Sequence, residues 1–260
     1  MPLTPTFFLG AHHPTWLKKP EYDGPFFVSR TSLERYKTLP VSQHDWAMDS
    51  GGFTQLHKHG QWTITAKDYA TFVQRCFDEI GRLQWAAPQD WMCEETALKM
   101  SGLTVKEHQR LTIDNFLELR QILGELVIPV LQGWNDDDYL VSCDMYEQAG
   151  VDLTKEKVIG LGSVCRRNAT ESISRIIDSL QPLNLHGFGI KGDAFLANLD
   201  GLVSADSMAW SFAARYQPRL EGCPDTHKTC ANCYRFADQW RKKLLNSISE
   251  QRYKQQRFSV

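Results

Sequence analysis

Leu202-Val203-Ser204-Ala205-Asp206 is a short apolar run that closes on a carboxylate, and Trp46-Ala47-Met48-Asp49 takes the same form far upstream. Runs this short, without strict polar alternation, suit strands buried on both faces. Five more follow the pattern: FFLGA at 7–11, LQWAAP at 83–88, VIPVLQGW at 127–134, VIGLGSV at 158–164 and LHGFGI at 185–190. Between them, residues 65–80 and 104–123 carry apolar side chains at helical spacing, with Thr65 and Thr104 placed as N-caps. Alternating strand and helix implies a parallel sheet, and six or more such units predict a closed (β/α)8 TIM barrel rather than an open doubly wound sheet. The eighth strand is not assigned. FFVS at 26–29 reads either as a strand or as an insertion.

The chain has 260 residues with 42% hydrophobic content, enough for one large core. There is no internal repeat, low-complexity tract or Pro/Ser-rich linker. We therefore expect a catalytic barrel over residues 1–215 and a zinc-binding loop with a basic helix over 216–260, packed on the barrel as one unit. That final helix has Trp240, Leu244, Leu245 and Ile248 as its apolar stripe. The 31 acidic and 29 basic residues leave a net charge of −2, which announces neither a nucleic-acid binder nor a membrane-surface protein. Charge is unevenly placed, however. Residues 235–260 hold seven basic side chains against Asp238 and Glu250, a local +5 that makes the segment either a phosphate-binding surface or an ordinary charged helix face. No signal-peptide pattern or membrane-length apolar run is present, so a cytoplasmic location without membrane contact is expected.

In a barrel of this kind the reactive groups sit where strands end. Asp49, Asp90, Gln132, Gly162, Lys191 and Asp206 all close apolar runs. Two aspartates at strand ends suit the breaking and remaking of a glycosidic bond, because one carboxylate can attack the sugar while the other moves the proton. Of seven cysteines, Cys76, Cys93, Cys143 and Cys165 are scattered among apolar neighbours as ordinary buried thiols. The other three cluster. Cys223-Pro-Asp-Thr-His227-Lys-Thr-Cys230-Ala-Asn-Cys233 offers three thiols and an imidazole, a donor set suited to a tetrahedral structural zinc ion.

These segments, DSGGF at 49–53, PQD at 88–90, LQG at 131–133, GLGS at 160–163, HGFGIK at 186–191 and ADSMAW at 205–210, together resemble the tRNA-guanine transglycosylase superfamily. The likeness spans about residues 46–233, and DSGGF is its most specific element. The chain is more similar to the compact, phage-type DNA-guanine transglycosylases (DpdA-like), which place 7-deazaguanines in DNA, since it has no room for the RNA-binding domain of archaeal members.

The resemblance implies a pentosyltransferase that exchanges guanine for a 7-deazaguanine (preQ0- or preQ1-like) through a covalent aspartyl intermediate at C1′. Asp206 matches its nucleophile and Asp49 its general acid/base. Asp90 matches the acceptor for the guanine N1–H and amine, Gln132 the donor on the O6 side, and Gly162 a backbone contact. Ser50, Gly51, Gly52, Phe53, Lys191 and Met208 complete the expected substrate site. The glycines would allow close backbone approach, Met208 and Trp210 suit either a base-flanking role or the core, and Lys191 and Arg215 suit either phosphate contacts or solvent. The family's zinc histidine lies downstream of its cysteines. Here no histidine follows Cys233, so His227 is the fourth ligand expected.

DNA is the expected partner, with the host cytoplasm as location for a phage-encoded enzyme. The same exchange on tRNA is the nearest alternative. A zinc-stabilised nucleic-acid-binding protein without activity and a retaining glycoside hydrolase are the rivals from other classes.

Overall fold

The computed structural model describes residues 4–165, 169–224 and 227–258, with side chains of 254–258 outside the description. Strands β1 (Thr6–Gly10), β2 (Phe26–Ser29), β3 (Trp46–Asp49), β4 (Leu83–Ala86), β5 (Val130–Leu131), β6 (Ile159–Leu161), β7 (Leu185–Gly187) and β8 (Ser204–Ser207) form one sheet. Its order is β4-β3-β2-β1-β8-β7-β6-β5, parallel throughout. The helices are α1 (Arg30–Leu33), α2 (Gly52–His59), α3 (Ala66–Ile80), α4 (Glu95–Ser101), α5 (Val105–Leu123), α6 (Asp136–Gln148), α7 (Thr170–Ser179), α8 (Gly192–Ala197), α9 (Ala209–Ala213) and α10 (Tyr234–Phe258). FFVS is a strand, β2, which supplies the eighth.

The closed barrel expected from the sequence is corrected in one respect. The eight strands curl so that β4 and β5 approach, but a single parallel bridge, Ala86 to Val127, joins those edges, supported by the Ile128 N–H to Ala86 carbonyl bond at 3.2 Å. Prolines flank the seam: Pro88 follows β4 and Pro129 precedes β5, and neither has an N–H to donate to a ladder. The result is a curled half-barrel with a seam, not a continuous ladder.

Local chemistry explains the helices. Thr65 accepts the Asp68 N–H at 3.1 Å and so caps α3. Thr104 and Glu107 cap α5 reciprocally, the Thr104 N–H reaching the Glu107 carboxylate at 2.8 Å and the Glu107 N–H reaching Thr104 Oγ1 at 3.3 Å. Both helices turn apolar faces to the outside of the sheet, where Tyr69, Val73, Phe116 and Leu119 join a large buried cluster with Leu9, Val28 and Met48. A second, smaller cluster fills the inside of the curl with Phe8, Phe27, Ala47, Trp85 and Ile128, against which Phe188 packs. Each fully buried side chain of this size stabilises the fold by roughly 1.5–3 kcal/mol.

The C-terminal segment adds to the same core: Phe236, Ala237, Leu244 and Ile248 of α10 pack in the cluster that holds β1 and β8. Its basic side chains are largely committed to packing. Arg241 is buried and pairs with Asp23 at 3.2 Å, Lys242 pairs with Asp238 at 2.8 Å, and Arg252 pairs with Asp200 at 3.3 Å. Asp23 precedes β2 and Asp200 precedes β8, so Arg241 and Arg252 meet loops at the amino ends of strands. The basic stretch considered as a phosphate surface therefore lies along the outside of the sheet; the side chains of Lys254 and Arg257 fall outside the described residues. Among the described residues, no helix is long and apolar enough to cross a membrane.

Candidate active site

A cavity of about 720 Å³ opens at the carboxyl ends of the strands. Asp49 from the end of β3 and Asp206 from β8 both line it, together with Asp90 from the loop after β4. Phe27 and Phe188, side chains of the inner cluster or packed on it, also line the cavity. Its size suits a small organic ligand in a cleft.

Strand register sets the carboxylates in place. Ser204 and Asp206 are two residues apart on β8, so they face the same side of the sheet. His186 of β7 pairs in register with Ser204 and faces the same way. Its Nδ1 is 2.8 Å from Ser204 Oγ and its Nε2 is 3.3 Å from Asp206 Oδ1, while the Gly189 N–H donates to the same Oδ1 at 2.9 Å. A carboxylate there selects the tautomer with the proton on Nε2, leaving Nδ1 to accept from the Ser204 hydroxyl. Rings of Trp85, Phe188, Phe8 and Phe27 surround His186 at 4.7–5.7 Å. His186 is a hydrogen-bonded core histidine, as its apolar run suggests, but its contact with Asp206 was not visible from sequence.

Asp49 has a different environment. Burial pushes its carboxyl above the ordinary range, and the charge of Asp206 adds to this; hydrogen bonds from Ser29 and the Gly51 N–H, with the buried Arg30 guanidinium nearby, work in the other direction. Arg30 is itself fixed, its Nε donating to the Ser50 carbonyl at 3.1 Å and its Nη1 to Glu34. The loop after Asp49 turns through Gly51, whose φ of +84° favours glycine and where a Cβ would meet Thr31 Cγ2 at 2.7 Å.

Asp90 ends a hydrogen-bonded chain behind the cavity wall. The Ser50 hydroxyl donates to its Oδ1 at 3.1 Å and Gln132 Nε2 to its Oδ2 at 2.6 Å. Gln132 Oε1 accepts from the Ser163 hydroxyl at 2.7 Å, and Ser163 accepts the Cys93 N–H at 2.8 Å. The Gln132 amide fits only because residue 162 is glycine: a Cβ there would lie 2.3 Å from Nε2. Burial first, then the charge of Asp49, pushes Asp90 up to about 7 despite these donors. Its own backbone N–H is a third donor, and since a carboxylate offers about four lone-pair sites, acceptor capacity remains for a ligand.

Of the residues expected at the site, Asp49, Gly52, Phe53, Asp90, Gly162, Asp206 and Met208 line the cavity. Ser50, Gly51 and Gln132 stand behind it as supports. Lys191 is exposed at the start of α8 and does not line the cavity. Trp210 belongs to the core, its Nε1 donating to the Gly10 carbonyl at 3.0 Å and its ring 5.4 Å from Trp16. His12 and His13 reach the cavity; burial, then the neighbouring His13, lowers the pKa of His12. Sequence reading missed Arg35, Ser163, Met92 and Gly189, all of which line the cavity. Among the described residues Arg35 makes no ion pair.

The side-chain donors of Cys223, His227, Cys230 and Cys233 all lie within 4.8 Å of one another, so the cluster can hold a metal ion. Cys223 Sγ and Cys233 Sγ are 4.0 Å apart, close to the edge of about 3.8 Å for a thiolate tetrahedron with zinc–sulfur bonds near 2.3 Å. The Leu220 N–H points at Cys230 Sγ at 3.4 Å and Arg235 Nη1 at Cys223 Sγ at 3.9 Å, donors that suit ionised sulfur.

Fold and site together define an α/β protein with a curled parallel sheet, a carboxylate-lined cavity at the strand ends and a Cys3His cluster that can hold a metal ion. A family model described as DpdA, DeoxyPurine in DNA protein A, matches residues 3–259, and the chain belongs to that family. No curated protein matches it. Among solved structures it is similar to oxaloacetate acetylhydrolase with the product oxalate, at 10% identity and TM-score 0.47 over 95% of this chain and 93% of that one. A second structure of that enzyme, with 3,3-difluorooxalacetate, gives 11% identity, TM-score 0.47 and the same coverage. Likeness at this level carries no activity across.

Proposed function

We propose that this protein exchanges guanine for a 7-deazaguanine in DNA by double displacement at C1′. The observation that carries the reading is the pair Asp49 and Asp206, lining one cavity in unlike environments. Asp206, held by Gly189 and His186, attacks C1′ as the C1′–N9 bond breaks, giving an ester. Asp49, whose raised pKa keeps a proton available, delivers it to the departing guanine. It then takes the N9 proton of the incoming base, whose nitrogen attacks C1′ and expels the Asp206 carboxylate, with retention.

Asp90 is the acceptor for the N1–H and amino edge of the base in this reading, with Ser50 and Gln132 holding its oxygens. Ser163 and the backbone at Gly162 stand at the opposite edge, Phe53 and Met208 flank the ring, and Arg35 is a phosphate contact at the mouth. The family description, a deoxypurine in DNA, supports DNA over tRNA as the polymer. Because the bond is hidden in a stacked duplex, the guanosine must be extruded or unpaired. The thiol and imidazole donors support zinc at Cys223, His227, Cys230 and Cys233, with a structural role that ties residues 216–260 to the sheet as one working unit. Incubating the protein with labelled guanine or 7-deazaguanine and either DNA or tRNA tests the reading: label enters DNA if it holds, while label in tRNA alone, or release of free sugar, overturns it.

A further inference from the structure

From the cavity mouth a stripe of apolar side chains runs outward along α9 and the turn that follows it. Met208 caps the start of α9, Phe212 lies within it, and Tyr216 follows in the turn that the Arg215 and Tyr216 N–H groups close onto the Phe212 and Ala213 carbonyls at 3.1 Å. Their exposure is 39%, 61% and 75%, rising away from the cavity that Met208 lines. The Phe212 and Tyr216 rings are 5.0 Å apart and tilted, so the two form one surface.

A folded protein rarely leaves two adjacent large rings this open, and the other side of the same segment is firmly anchored. Trp210 is fully buried and hydrogen-bonded to Gly10, and the Ser211 hydroxyl donates to the Ala231 carbonyl at 2.6 Å, within the metal-binding loop. The rings are therefore presented on a rigid support. Arg215 lies between them in sequence, is exposed, and among the described residues forms no ion pair or side-chain hydrogen bond.

We propose that Phe212 and Tyr216 are a stacking platform for the unpaired base next to the exchanged guanine, with Arg215 meeting the adjoining phosphate. The inference rests on the DNA reading above and extends it to the strand state of the substrate: single-stranded or locally opened DNA. Aromatic faces interleaved with arginine are the usual surface for unpaired nucleic acid, because every base offers a π-face and every linkage a charge. The stripe begins at the residue that walls the cavity, so a strand leaving the site meets it within one or two nucleotides.

The test is fluorescence anisotropy of a labelled single-stranded deoxyoligonucleotide with one central guanine, against the duplex of the same sequence. The wild type should prefer the single strand. Phe212→Ala and Tyr216→Ala should each weaken that binding about 5- to 100-fold, with melting temperature and metal content unchanged. Tyr216→Phe should bind as the wild type does, and Tyr216→Leu, apolar but without a π-face, should fail like Tyr216→Ala. If the wild type binds DNA and the alanine variants bind equally well, or if Tyr216→Leu retains full affinity, the platform is overturned while the proposed reaction stands. A wild type that binds neither form of DNA, with its metal in place, overturns the substrate reading itself.

Discussion

His186 Nε2 lies 3.3 Å from Asp206 Oδ1, with the two side chains 0% and 6% exposed. Beneath them the Ser204 hydroxyl sits 2.8 Å from the other ring nitrogen. The imidazole thus orients one carboxylate oxygen and leaves the second for chemistry. Phenylalanine at 186 would keep the aromatic packing and remove the hydrogen bond. We expect His186→Phe to lower the exchange rate constant kcat about 10- to 100-fold, the scale of a small misplacement of a reacting atom, with little change in KM for the base. His186→Gln, whose amide nitrogen can reach the same oxygen, should recover part of the loss. Steady-state kinetics on variants of wild-type melting temperature decide it; an unchanged kcat in His186→Phe removes the positioning role.

The base-binding role proposed for Asp90 predicts a pH-dependent affinity for the free base. Its carboxyl is pushed up to about 7 by burial and by the Asp49 charge, and only the ionised form accepts from N1–H and the amine. Binding of a 7-deazaguanine should weaken as pH falls below about 7 and level off above it, and the step should vanish in Asp90→Asn. The stability consequence has the opposite sense. A raised folded-state pKa favours the protonated fold, so this contribution is complete below the unfolded value near 3.9 and is lost as pH rises through about 7. Asp90→Asn should therefore gain melting temperature relative to wild type between pH 5 and pH 8. Calorimetric titration and thermal melts across that range check both statements.

Gly162 has its role through the residue it admits. A Cβ at 162 would stand 2.3 Å from Gln132 Nε2, so Gly162→Ala must push the amide off Asp90. Base affinity should fall about tenfold or more, as expected when a buried charge-assisted hydrogen bond is broken, while binding of a guanine-free oligonucleotide stays the same. Equal loss of both would mean a general structural defect instead.

A structural zinc ion at the Cys3His cluster, as proposed, predicts a selective dependence on thiols. Cys230→Ser should lose most of about one equivalent of bound zinc per chain and several degrees of melting temperature, whereas Cys76→Ser, in the core of α3, should keep its metal. Elemental analysis with melts in the presence of a chelator provides the check, and a metal-free wild type of full stability would contradict it.

Much of this was legible in the sequence because strand ends punctuate the chain with polar residues after apolar runs. Asp49, Asp90 and Asp206 were found that way, and apolar spacing with Thr65 and Thr104 as caps marked α3 and α5. FFVS was ambiguous because a four-residue apolar run lacks a period long enough to separate strand from insertion. The seam between β4 and β5 was also hidden: Pro129 and Pro88 were visible, but not that the sheet would bring these two strands to its edges. His186 sits within an apolar run and is a core residue. Its pairing with Asp206 depends on the register of β7 against β8, which no local pattern encodes. The basic residues of α10 suited either a phosphate surface or an ordinary charged helix face, and that Arg241 and Arg252 would meet Asp23 and Asp200 depended on the fold.

The proposed exchange requires Asp206 to become covalently joined to the sugar in the cavity that Asp49 also lines. Wild-type protein incubated with guanine-containing DNA, then denatured and resolved by electrophoresis, should show a shifted band that disappears on addition of excess 7-deazaguanine and never forms with Asp206→Asn. An adduct that persists in Asp206→Asn, or base exchange by wild type with no adduct trapped at any time, contradicts the account.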